Sequence, residues 1–233
     1  MRNDPKKEEQ SVKHARIRAA LSLAVNAGIL VLTAFIVFGM LFFAERPDDP
    51  TVNTRALRYY TTLSNILAAL VAVPMSVCAA CALIRVVFAV PRWLSLLRFI
   101  ATSALTLTMM TVLLFLGPVF GFDGMFSGPN FWFHLVNPVL SVFAFLFLEK
   151  EADYPAKNPL PGIVQTAVYG AVYVYMVFLL GEGRGGWPDF YGFNFGGFWY
   201  LTVAMLLFGN LIFAKLLLFA RERLNSPKKA ERG

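Results

Sequence analysis

The sequence predicts an all-α integral membrane protein, a bundle of six transmembrane helices with the N- and C-termini in the cytoplasm. Three observations carry that expectation. The chain is 58% hydrophobic and only 15% charged, with a mean hydropathy of +0.61. A soluble domain has about 45–50% apolar and about 25% charged residues. Its apolar residues collect into six long runs, and its basic residues alternate in density between the segments that join them.

The runs fall at roughly 17–43, 60–84, 94–118, 131–148, 160–180 and 197–219. At about 1.5 Å of helix per residue, each covers a hydrocarbon layer of about 30 Å. None alternates with period two, which argues against a β-barrel and leaves helices to satisfy the backbone in lipid. The first run follows a basic stretch, 1–16, and no small-residue cleavage site follows it, so it is expected to be an anchor and not a removed signal. Residues 17–220 form one transmembrane domain, and 221–233 a basic tail. No internal repeat or linker is evident.

Charge placement sets the orientation. Counting from the N-terminus, the segments outside the runs hold 6, 3, 3, 0, 2, 1 and 6 Lys and Arg. Alternate segments total 17 on one side and 4 on the other. The excess marks the cytoplasmic side. The C-terminal Arg221, Arg223, Lys228, Lys229 and Arg232 belong to it, which requires an even number of crossings. Arg18 and Arg98 fall in the end turns of their runs, and Lys215 falls inside the last run, about a turn from its cytoplasmic end, where its stem can snorkel. The net charge of +7 is therefore read as a topology signal that also meets anionic headgroups, not as a nucleic-acid surface.

Few features resemble a cofactor site. Cys78 and Cys81 have the spacing of a redox pair or half a zinc site, but no second pair exists. Cysteine also serves as a small apolar helix residue, so no metal and no cofactor are expected. The Gly- and aromatic-rich stretches 117–130, 181–186 and 187–197 read as an interfacial belt, or as a lid over a pocket opening outward.

Polar residues inside the runs are more informative, because lipid offers them no partners. Thr61, Ser64 and Asn65 lie at i, i+3 and i+4 and share one helical face. His134 and Asn137 repeat that spacing in the fourth run, and Pro138 frees a backbone carbonyl one turn back. Both runs enter from the outer face, so Thr61 and His134 are expected at similar depth. Intramembrane histidine is often an interhelical strut. It can equally be the base that a hydroxyl nucleophile such as Thr61 or Ser64 needs. His14, in the basic N-terminus, reads as solvated.

Two segments resemble a known family. Tyr59-Tyr60-Thr61-Thr62-Leu63-Ser64-Asn65 is similar to the aromatic-aromatic-Thr-x-x-Ser-Asn signature of Pr6Pr-type bacterial integral membrane proteins, and His134-Leu-Val-Asn-Pro138 to their His-x-x-x-Pro. Tyr154-Pro155 and the Trp187-Pro188 region fall where that family has comparable features. The wider group includes the androgen-induced and androgen-dependent TFPI-regulating membrane proteins. These are six-span threonine hydrolases of fatty acid esters of hydroxy fatty acids.

The resemblance implies a lipid-ester hydrolase with Thr61 as nucleophile and His134 as base, acting near the outer leaflet on a membrane lipid or acyl-chain substrate. Thr62 is the register alternative for Thr61. Ser64, Asn65 and Asn137 are the supporting or oxyanion candidates. Where the animal enzymes have an acidic residue three places after the nucleophile, this chain has Ser64. A non-catalytic lipid- or small-molecule-binding protein, or a transporter, is the alternative. Against a transporter, the spans are expected to hold no buried carboxylate or Arg for ion coupling.

The orientation is checked by fusions to the C-terminus. A fluorescent protein there should glow and alkaline phosphatase should be inactive; the reverse pattern would invert the topology.

Overall fold

Backbone N–H and C=O groups in an apolar layer must bond within their own segment, and this chain meets that demand with helix throughout. The computed structural model describes residues 5–43, 53–85, 87, 89–149 and 158–225. Among them there is no strand. Tyr154, Pro155, Lys228, Lys229 and Arg232 lie outside the described residues.

Six helices are long and apolar enough to cross a membrane: span 1 (Glu8–Phe42), span 2 (Tyr60–Arg85), span 3 (Arg92–Phe120), span 4 (Pro129–Leu148), span 5 (Leu160–Leu180) and span 6 (Trp199–Asn225). Each overlaps an apolar run of the sequence. The first helix begins at Pro5, so the basic stretch expected ahead of the anchor continues it as helix. Phe35 is 77% exposed and Ile84 81%, an outward apolar face that suits lipid better than water.

Span 3 is the centre of the bundle. From residue 99 to 109 only Ile100 escapes full burial, and the helix packs against spans 2, 4, 5 and 6. Small residues permit the closest approaches. A Cβ on Gly162, at the start of span 5, would sit 2.7 Å from Ala214 Cβ of span 6 and 3.0 Å from Ser103 Oγ of span 3.

The charge pattern needs a correction. Lys215 is exposed as expected, but it is not the only charge within the spans. Arg98 of span 3 is fully buried, and its Nε lies 3.0 Å from Oε1 of the equally buried Glu149, just past span 4. Arg221 of span 6, also buried, donates to the carbonyls of Phe145 and Glu149. Its guanidinium rests 4.8 Å from the centre of the Phe145 ring. Residues at the ends of apolar runs look solvated in a linear reading; here three such ends converge, and the charges close on one another instead of on water.

Removing one member of a buried pair strands the other, at a cost of about 3–5 kcal/mol. Glu149→Leu or Arg98→Leu is therefore expected to lower the thermal midpoint of the detergent-solubilised protein sharply. The double change to apolar residues should recover most of the loss.

Candidate active site where spans 2 and 4 meet

On span 2, the i, i+3, i+4 spacing of Thr61, Ser64 and Asn65 does place them together. Ser64 Oγ donates to the Thr61 carbonyl at 3.0 Å and lies 3.1 Å from Thr108 Oγ1 of span 3. Asn65, fully buried, uses one amide hydrogen on the Thr61 carbonyl at 2.8 Å and the other on the Phe133 carbonyl of span 4 at 3.2 Å. Its Oδ1 accepts from Asn137 Nδ2 at 2.9 Å, and that same nitrogen donates to Thr33 Oγ1 of span 1 at 3.0 Å.

The His134 turn of span 4 is widened. Residues Trp132–Val136 form a π-helical turn, and Pro138, lacking an N–H, leaves the His134 carbonyl without its usual helical donor. His134 is buried, and its Nδ1 lies 2.8 Å from the Met125 carbonyl. A carbonyl only accepts, so Nδ1 carries the proton and Nε2 holds the lone pair. That is the tautomer a general base needs.

Spans 2 and 4 run in the same direction, and the Asn65–Asn137 bond fixes their register. One turn toward the chain entry from each asparagine lie Thr61 and the pair Phe133-His134. The Asn65 amide bridges the carbonyls of Thr61 and Phe133, so the two turns are level and adjacent.

Thr61 opens onto a cavity of about 110 Å³ among spans 2, 3, 5 and 6. A water needs about 10–15 Å³ on this measure, so several methylene groups fit. Leu107, Val112, Leu116, Val203 and Leu206 make most of the wall apolar. Thr61 and Thr111 line this chamber, and no side-chain hydrogen bond holds the hydroxyl of either among the described residues.

The aromatic stretch 187–197 folds inward as the chamber's roof. Tyr191 and Phe193 line it, and Tyr191 Oη accepts the Tyr60 N–H at 2.9 Å. Burial pushes the Tyr191 hydroxyl up to about 12, so it stays protonated and can donate. Asp189 staples this loop. Its carboxylate accepts from Tyr173 Oη at 2.7 Å and from the backbone N–H groups of Phe193 and Asn194. Burial works to raise the Asp189 carboxyl, but these donors outweigh it and hold the group below its ordinary value. At the loop's base, a Cβ on Gly186 would lie 2.1 Å from the Met176 carbonyl, so only glycine fits.

Not every expected residue joins the chamber. His134 is absent from its wall, with its ring drawn toward Met125. Thr62 is buried but does not line the chamber. The oxyanion role expected of Asn65 and Asn137 conflicts with their bonds, since both N–H donors of each amide already serve other acceptors. Tyr191 and Thr111 are among the hydroxyl residues that line Thr61's chamber, and the sequence reading passed over them. The Thr102, Thr106, Thr108, Thr111 run of span 3 was the available signal. Cys78 and Cys81 carry free thiols. Among the described residues no three His, Cys, Asp or Glu converge as metal ligands would.

Set beside known proteins, the chain matches no family model, no curated protein and no solved structure.

A depressed folded-state carboxyl stabilises above its unfolded value and loses that contribution as pH falls through the folded one. Asp189→Asn should therefore lower the thermal midpoint by a constant amount at neutral and mildly acidic pH. The gap should shrink as pH drops below about 4, the ordinary aspartate value.

Proposed function

We propose that this chain is an integral membrane hydrolase of lipid-like esters, oriented with both termini in the cytoplasm and the chamber toward the outer leaflet. The observation that carries the reading is the Thr61 hydroxyl, unheld on the wall of an apolar chamber and level with a histidine whose Nε2 has its lone pair free. An acyl chain lies in the chamber and presents its ester carbonyl to Thr61 Oγ1. Attack passes the Thr61 proton to His134 Nε2, which returns it to the departing alkoxide as the acyl-threonine forms. Water then gives a proton to the same nitrogen and attacks the acyl-threonine carbonyl; the bond from that carbon to Thr61 Oγ1 breaks, Thr61 takes the proton back from Nε2, and the fatty acid leaves. Tyr191 and Thr111 supply the donors for the oxyanion. The Asn65 and Asn137 amides position Thr61 and His134 and take no part in the chemistry. The resemblance of 59–65 and 134–138 to the six-span threonine hydrolases points to the same roles.

A second reading, a non-catalytic binder of the same lipid-like ligand, is favoured by one observation: the imidazole turns to Met125 and not onto the chamber wall. A transporter has less support. The buried Arg98–Glu149 pair supplies charge inside the bundle, but at the opposite end from the chamber and closed on itself.

A fluorophosphonate probe separates these readings. Labelling of the wild type should vanish in Thr61→Ala, fall at least 100-fold in rate in His134→Ala, and persist in Thr62→Ala. Such losses are typical when a nucleophile or its base is removed. Labelling that survives Thr61→Ala rejects this nucleophile, and a wild type that retains an acyl ligand but never reacts is a binder.

A further inference from the structure

The positive-inside pattern leaves four basic residues on the segments assigned to the outer side: Arg46, Arg55, Arg58 and Arg184. Arg184 has a structural task, since its guanidinium caps span 5 by donating to the carbonyls of Leu179 and Leu180. Arg46 lies outside the described residues. Among the described residues neither Arg55 nor Arg58 caps a helix in this way, yet the fold holds the two together.

They belong to a 3₁₀ turn, Thr54–Arg58, which Asn53 caps by accepting the Arg55 N–H at 3.2 Å. With three residues per turn, positions i and i+3 of a 3₁₀ helix eclipse, so both guanidinium groups stand on one side. Tyr169 Oη anchors the turn by donating to the Arg58 carbonyl at 2.7 Å, and the Arg58 guanidinium sits 5.7 Å from the centre of the Trp187 ring. Two like charges held in register repel one another. Among the described residues neither guanidinium meets a carboxylate; Asp189 of the adjoining loop directs its oxygens to Tyr173, Phe193 and Asn194 instead.

The two arginines line a cleft of about 390 Å³ with Tyr59, Pro188 and Phe190. This cleft backs directly onto the chamber. Tyr59 and Phe190 face the cleft while their chain neighbours Tyr60 and Tyr191 face the chamber. Cleft and chamber therefore adjoin at these neighbouring residues, where the Tyr59 and Phe190 rings pack with centres 4.8 Å apart and Tyr60 N–H donates to Tyr191 Oη. A paired arginine fork suits an oxyanion with several acceptors, and an apolar chamber beside it suits a hydrocarbon chain.

We propose that Arg55 and Arg58 form a headgroup site for an anionic, phosphate-bearing amphiphile whose acyl chain occupies the neighbouring chamber. The inference rests on the acyl-chamber part of the reading above but not on hydrolysis.

The test uses the full chain in uncharged detergent, with calorimetric binding of dodecyl phosphate compared with that of uncharged monododecanoylglycerol and of inorganic phosphate. The wild type should bind dodecyl phosphate at least tenfold more tightly than Arg55→Gln/Arg58→Gln, with the uncharged amphiphile unaffected. Arg55→Lys/Arg58→Lys, which keeps the charge but not the fork, should fall between them. A thermal midpoint matching the wild type confirms that each variant is folded. Equal affinity for dodecyl phosphate in the wild type and the Gln pair overturns the proposal. So does inorganic phosphate binding as tightly as dodecyl phosphate, which would mark a free-anion site. Leu206→Trp fills the chamber and isolates the other premise: if both amphiphiles bind it as they do the wild type, the acyl chamber is wrong, while the Arg comparison still decides the headgroup site.

Discussion

Carboxamide side chains closing on one another inside an apolar bundle are the constraint on which the rest depends. An amide in an apolar interior must find partners within the protein, and two polar clusters built on three asparagines organise the spans. Asn65 and Asn137 join spans 1, 2 and 4 through Thr33 and the carbonyls of Thr61 and Phe133. Asn210 joins span 6 to spans 3 and 5 by accepting from Ser103 and donating to Thr166 and the Gly162 carbonyl. Hydroxyl pairs link the two clusters, Tyr60 with Thr166 and Ser64 with Thr108. Leucine contacts distinguish poorly between neighbouring protein and lipid; these directional bonds set which helices are neighbours and in what register.

The two ends of the bundle then serve different ends. At one, Arg98, Glu149 and Arg221 tie spans 3, 4 and 6 with full charges and a ring face. At the other the ties are hydroxyl and amide bonds, and the chamber lies beneath the aromatic roof among spans 2, 3, 5 and 6. The buried ion pair thus lies at the end of the bundle away from the chamber, while the chamber end is fastened by hydroxyls, amides and the Asp189 carboxylate.

The roof shows how a loop can be both aromatic belt and wall. Asp189 gathers Tyr173 and the backbone of residues 193 and 194, which turns Tyr191 and Phe193 inward while Phe198 and Tyr200 remain exposed. Within 187–197 Tyr191 and Phe193 thus line the chamber, and the exposed aromatics stand just past it at 198 and 200. The exposed Arg55 and half-buried Arg58 beside it give that rim a polarity that the chamber itself lacks.

Much of this was legible in the chain alone. Six spans followed from apolar runs because helix is the one economical way to carry a backbone through lipid, and the shared face of Thr61, Ser64 and Asn65 followed from 3.6-residue periodicity. Tertiary structure decided what each polar group meets, because partners come from segments dozens of residues away. It turned the asparagines from oxyanion donors into helix ties, since each amide has two N–H groups and both were already taken. It drew His134 to Met125 and brought Tyr191 and Thr111 to Thr61's chamber. It also buried Arg98 and Glu149 together, which no local signal announced: a charge at the edge of an apolar run looks the same whether water or a neighbouring helix lies beyond it.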